Sequence, residues 1–146
     1  MKKEEILNDL LLLNNDRRAG YEKAATLTSD QKLTGVFRDM SNQSREIAQE
    51  LTRVIRSEGL EPEEGTTVKG KIYRTWMDVK NTFTGENPKE LLSSCEHGED
   101  EALKAYKTAL ADTSLPGNLR PVVEHQREVL KDSHDVIKQL RDAQPS

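Results

Sequence analysis

A chain of 146 residues is one domain's worth of polypeptide, long enough to bury roughly two-thirds of its unfolded surface. Apolar residues make up 34%, charged residues 33% and aromatics 4%, a balance that suits amphipathic helices with a narrow buried stripe and argues against β-sandwich or barrel cores. A net charge of −4 excludes a whole-chain electrostatic footprint for nucleic acid, and no stretch approaches the ~20 apolar residues of a membrane span.

The N-terminal MKKEEILNDLLLLNN faintly imitates a secretory leader, but Glu4, Glu5, Asn8 and Asp9 interrupt its apolar part and no small-residue cleavage site follows. The expectation is a soluble cytoplasmic protein with no membrane or nucleic-acid partner. A first helix runs from about Lys3 to Leu27, with Leu7, Leu10, Asn14, Arg17, Tyr21 and Ala24 on one seam. Thr28 to Gln31 reads as a capping box with Thr28 as N-cap. A second helix then extends from about Ser29 to Glu58, with Gly59 as its stop. Its seam is Leu33, Phe37, Met40, Ser44, Ile47, Leu51 and Val54, with Gln43, Arg45 and Glu46 close by.

Residues 59–87 form a crossover. Within it a short helix from about Val68 to Phe83 carries Ile72, Trp76, Val79 and Phe83 on one stripe, and Gly85 ends it. Asn87-Pro88-Lys89-Glu90 is the clearest start signal in the chain: Asn as N-cap, Pro in the first turn, Glu three residues on. The helix that opens there reaches about Ala111. Its face holds Leu92, Cys95, Ala102, Tyr106 and Ala109, with Glu99 in the middle of the stripe. The last helix starts somewhere between Ser114 and Pro121 and continues to about Ala143. Val122, Gln126, Leu130, Ser133, Ile137 and Leu140 face inward, with His134 and Lys131 at the border.

The fold class expected is all-α, one domain spanning 1–146. Four long helices are separated by a short turn, a long crossover and another short turn. One long crossover between the second and third long helices is the connectivity of a ferritin-like four-helix bundle, here with a short fifth helix in the crossover.

FRDMSNQSREIAQEL, TWMDVKNTFTG, CEHGEDEALKAYKTAL and DSHDVIKQL together resemble a family of small bacterial ferritin-like bundles that carries only a domain-of-unknown-function label. The resemblance spans nearly the whole chain and implies the fold far more than an activity. A more distant likeness to rubrerythrin and bacterioferritin bundles implies a ligand template: Glu on the first helix, Glu-x-x-His on the second, Glu on the third and Glu-x-x-His on the fourth. Carried over, the first Glu falls on Asn14, the second-helix pair on Ser44 and Ile47, the third-helix Glu on Glu99, and the last pair on Lys131 and His134. Only Glu99 and His134 keep a ligand type, and no Glu-x-x-His exists anywhere in the chain. The expectation is a degenerate di-metal site with no cofactor, in which Lys131 or Arg17 pairs with Glu99 and Asn14 and Ser44 complete a polar layer. Glu99 and His134 remain the candidate metal residues.

Cys95, the one cysteine, reads as a buried structural thiol. His97 and His125, beside Glu96 and Glu124, and the His125/Glu128 pair read as solvated surface. Ser94, Cys95 and His97 lack a third member for nucleophilic catalysis, and Gly65 and Gly70 do not have phosphate-loop spacing. The functional expectation is a non-enzymatic structural or interaction module, stress-related, forming a homo-oligomer such as a dimer and meeting an unidentified protein partner. The Trp76 helix is a candidate interaction surface, with Lys69, Lys71, Arg74 and Lys80 on its other face, although sealing the bundle is the simpler role for Trp76. The alternative is an iron- or manganese-binding oxidoreductase or iron-handling protein using Glu99, His134 and carboxylates such as Glu22 or Glu46. A ligand pocket between the helices would be a third.

Overall fold

A computed structural model describes residues 2–65, 71–81 and 87–145. Five helices account for its regular structure, with no strand among the described residues: α1 (Lys3–Leu27), α2 (Gln31–Ser57), α3 (Lys71–Asn81), α4 (Pro88–Ala111) and α5 (Arg120–Asp142). The ends expected for α3, at Val68 and Phe83 with Gly85 after them, lie outside the described residues.

Local chemistry sets the helix ends. Asp30, not Thr28, caps α2: its carboxylate accepts from the backbone N–H groups of Lys32 and Leu33, while Thr28 accepts from Asp30 N one step earlier. A carboxylate at the N-terminus also meets the positive end of the helix dipole, which a hydroxyl cannot match. At the other end Gly59 takes φ +74°, and the Gly59 and Leu60 amides donate to Arg56 and Ile55. That is a Schellman close, and it needs the left-handed conformation glycine adopts freely. Asn87 caps α4 through Glu90 N with Pro88 behind it, as the sequence indicates. In α5 the buried face is Val123, Gln126, Leu130, Ser133 and Ile137. Val123 replaces the expected Val122 because the spacing of three and four back from Leu130 reaches 123.

Cross-helix bonds give the directions. Along α1 from Asn14 to Arg17 the partners on α4 descend from Tyr106 to Glu99, so α1 and α4 are antiparallel. Met40 to Ser44 on α2 meet Arg17 and Asn14 in reverse order. Gln43 and Glu50 on α2 meet Ser133 and Gln126 on α5, and Tyr106 and Asp100 on α4 meet Gln126 and His134 on α5, again in reverse order. Hence α2 and α4 run in the same direction. Between them in sequence, α3 packs on both α1 and α4.

Two apolar clusters fill the interior. One gathers Leu7, Leu10, Leu51, Ile55, Ala102 and Leu130. The other gathers Tyr21, Phe37, Trp76, Leu92, Cys95 and Ile137. Arg17, Ser44, Glu99 and Ser133 lie between them in sequence on all four long helices, each buried. The polar residues that interrupt each seam therefore meet as one layer.

Candidate functional site

At the centre of that layer the Arg17 guanidinium is fully buried, and so is the Glu99 carboxylate. Arg17 Nε donates to Glu99 Oε1 at 2.6 Å and Nη2 to Oε2 at 2.9 Å, the parallel two-bond arrangement that fits a planar guanidinium to a carboxylate. The remaining donors are taken by α2. Nη1 donates to Ser44 Oγ at 2.9 Å and to the Met40 carbonyl at 3.2 Å, and Nη2 to Gln43 Oε1 at 3.3 Å. A buried guanidinium survives only when each donor has an acceptor, and here each does. Tyr21 lies beneath it, with the guanidinium carbon 5.1 Å from the ring centre.

From this ion pair a hydrogen-bonded chain continues across the molecule. Ser44 donates to Asn14 Oδ1 at 2.9 Å, and Asn14 Nδ2 donates to the Leu10 carbonyl at 2.9 Å and to the Tyr106 hydroxyl at 3.0 Å. Tyr106 donates to Gln126 Oε1 at 2.8 Å, and Gln126 Nε2 donates to Glu50 Oε1 at 2.8 Å, where the chain reaches half-exposed surface. A side branch joins Ser133 to Gln43 at 2.7 Å.

Burial pulls the Arg17 pKa down, but Glu99 outweighs it and holds the guanidinium above its ordinary value, so it stays charged at any working pH. The Cys95 thiol is pushed up by burial first and by Glu99 second, which leaves it neutral and unreactive. Tyr21 and Tyr106 are raised as well, both by burial first. Glu99 adds to the shift on Tyr21, close enough to act on its hydroxyl without reaching hydrogen-bond geometry.

Glu99 therefore sits at the centre, as its place in the stripe suggested. Asn14, Ser44 and Arg17 join it. Lys131 does not: it points outward and pairs with Asp135 at 2.8 Å, because its position lies on the exposed edge of α5. His134 is drawn to the same surface, with Nε2 2.8 Å from Asp100 and Nδ1 3.1 Å from Asp135. Lys131 and then His134 hold the Asp135 carboxyl below its usual range. Among the described residues no group of three or more His, Cys, Asp or Glu side chains is placed to hold a metal ion. Glu22 pairs with Arg18 and Glu46 is exposed. His97 and His125 are exposed too.

Sequence reasoning placed Tyr106 and Gln126 on buried faces without seeing that they relay hydrogen bonds from Asn14 to Glu50. A phenol and an amide at facing core positions were the available signal. The second omission is a notch. An added Cβ on Gly20 would stand 2.4 Å from Trp76 Cε3, and one on Gly98 2.6 Å from Trp76 Cζ2. The indole thus occupies a slot made by two glycines on neighbouring helices. Its Nε1 meets no acceptor among the described residues, so shape seats the ring. Trp76 is buried and unavailable as an outer contact. Of the basic face beside it, Arg74 is exposed and Lys80 half-buried, while Lys69 and the Lys71 side chain lie outside the described residues.

A family model described as "Domain of unknown function (DUF2383)" matches residues 2–112, about three-quarters of the chain. The chain belongs to this family. The DUF2383 match takes in α1 to α4, and with them Arg17, Ser44, Glu99 and Trp76, and stops at the C-cap of α4. Gln126 and Ser133 on α5 complete the polar layer from outside the matched DUF2383 segment. No curated protein matches the chain.

Proposed function

We propose that the four long helices form a ferritin-like bundle whose di-metal position is filled by the chain's own ion pair, and that the protein is a non-enzymatic structural or interaction module. The single observation behind this reading is the Arg17–Glu99 pair. Both carboxylate oxygens of Glu99 are occupied by the guanidinium. The fixed positive charge stands where a cation would compete for the same oxygens, and His134, half-buried, is engaged by Asp100 and Asp135 instead. The residues present do not fit a dinuclear iron or manganese centre, whose ligands must converge and be free to bind. Antiparallel neighbours around the ring, and the same direction for α2 and α4, support the bundle connectivity.

The test is metal content by mass spectrometry after incubation with ferrous iron or manganese and removal of the excess. Less than about one-tenth of a metal per chain is the expected result. About two metals per chain, lost in Glu99→Ala, would overturn the reading and replace it with an atypical oxidoreductase or iron-handling site.

A further inference from the structure

A groove of about 660 Å³ runs between α1, α2 and residues 63–65. Arg45, Arg53 and Arg56 lie along its α2 wall, spaced by eight and three residues, which puts them on adjacent strips of one helical face. Arg18 joins them from α1, brought alongside by the Ser41 hydroxyl bonding to the Arg18 carbonyl at 3.1 Å. The opposite wall is tied down rather than loose. Asn8, buried against it, accepts from Glu63 N at 2.8 Å and donates to the Glu61 carbonyl, and Asn15 Nδ2 donates to the Gly65 carbonyl at 2.6 Å. That wall presents Glu63 and Glu64. Among the described residues Arg45, Arg53 and Arg56 meet no carboxylate, although these two acids line the same groove. Opposite charges thus line one groove without pairing with each other.

We propose that this groove binds a compact phosphate ester, with its phosphates on the arginine wall and hydroxyl or amino donors on the Glu63–Glu64 wall. Guanidinium forks match phosphate oxygens in two-bond pairs, and several together recognise a di- or triphosphate better than a single charge. The two carboxylates disfavour a long polyanion lying across the whole groove, and they accept from the neutral or cationic end of a small ligand. The volume suits a molecule of nucleotide size.

The experiment is titration calorimetry of the full chain with adenosine triphosphate and, separately, with inorganic pyrophosphate, which lacks the donor end. Expected is saturable binding of the nucleotide that weakens about tenfold or more in Arg45→Gln and in Arg53→Gln. Glu63→Gln/Glu64→Gln should weaken nucleotide binding while leaving pyrophosphate unchanged or tighter. Circular dichroism on each variant checks folding, and these exposed positions keep the helices intact. Absence of saturable binding at millimolar nucleotide overturns the proposal. So does equal weakening by Lys32→Gln, a cation on α2 outside the groove, because that would mark diffuse charge attraction. A purely pyrophosphate-like response, indifferent to Glu63 and Glu64, overturns the two-walled geometry.

Discussion

Removing either partner of the Arg17–Glu99 pair strands a charge in the core, whereas removing both strands none. Arg17→Met or Glu99→Leu alone should lower stability by about 3–5 kcal/mol, and the double variant should recover most of that loss. Urea denaturation decides it, and a double variant as unstable as the singles would show that the pair is worth more than its desolvation. The buried acids of this region also set an alkaline limit. Cys95, Tyr21 and Tyr106 all have folded pKa values above their ordinary values of 9.0, 10.0 and 10.0. A group whose folded pKa is raised stabilises the fold fully while both states hold the proton, and that advantage declines as pH climbs past the unfolded value. Stability should therefore be level in these groups' contribution below pH about 9 and fall above it. Cys95→Ala should delay the onset towards pH about 10, followed by denaturant midpoints across the alkaline range. Much of this site was legible in the sequence, because Asn14, Arg17, Ser44 and Glu99 each break an apolar seam at mid-helix. The choice of Arg17 over Lys131 was not. Arg17 lies within its seam and Lys131 at the edge of its own, and only the rotation of α5, which spacing alone leaves open by one residue, sends Lys131 to water.

Helix α3 is held by fit rather than by length. Its 11 residues could not persist alone in water, so its existence depends on burying Trp76 and Val79 against α1 and α4. Gly98→Ala puts a methyl 2.6–2.7 Å from the Trp76 ring, and Gly20→Ala one at 2.4 Å from it. Each should cost about 1–3 kcal/mol despite alanine's better helix propensity. Trp76→Leu should soften that penalty in the same background, and thermal denaturation of the four proteins measures the coupling. If Gly98→Ala stabilises instead, the notch is not tight. At this scale the sequence was clear where chemistry is local: the Asn87-Pro88 start, the Gly59 stop and the 3.6-residue stripes. It misled at the start of α2, where the capping-box spacing pointed to Thr28 and the cap is Asp30. It was silent on Gly20 and Gly98, since a glycine inside a helix signals nothing until its neighbour is known.

For the whole molecule, the family match ends at the close of α4, yet the interior does not. Val123 and Leu130 enter one apolar cluster and Ile137 the other, while Gln126 and Ser133 satisfy Tyr106 and Gln43. A chain ending at residue 112 should thus lose its cooperative urea transition and bind hydrophobic dyes. A sharp transition retained by that fragment would mean that α5 is an appendage. A polar layer of Arg17, Glu99, Asn14 and Ser44 was legible in the sequence, whereas its extension through Tyr106 and Gln126 to Glu50 needed coordinates, because it depends on the relative height of helices distant in sequence. The glycine slot has one more consequence, an optical one. The sequence holds one tryptophan, and that indole is the wedge by which α3 is seated. Its emission is therefore a built-in gauge of α3: blue while the ring is shielded between Gly20 and Gly98, red once water reaches it. Set beside helicity measured on the same sample, that colour separates the departure of one short helix from the melting of the other four.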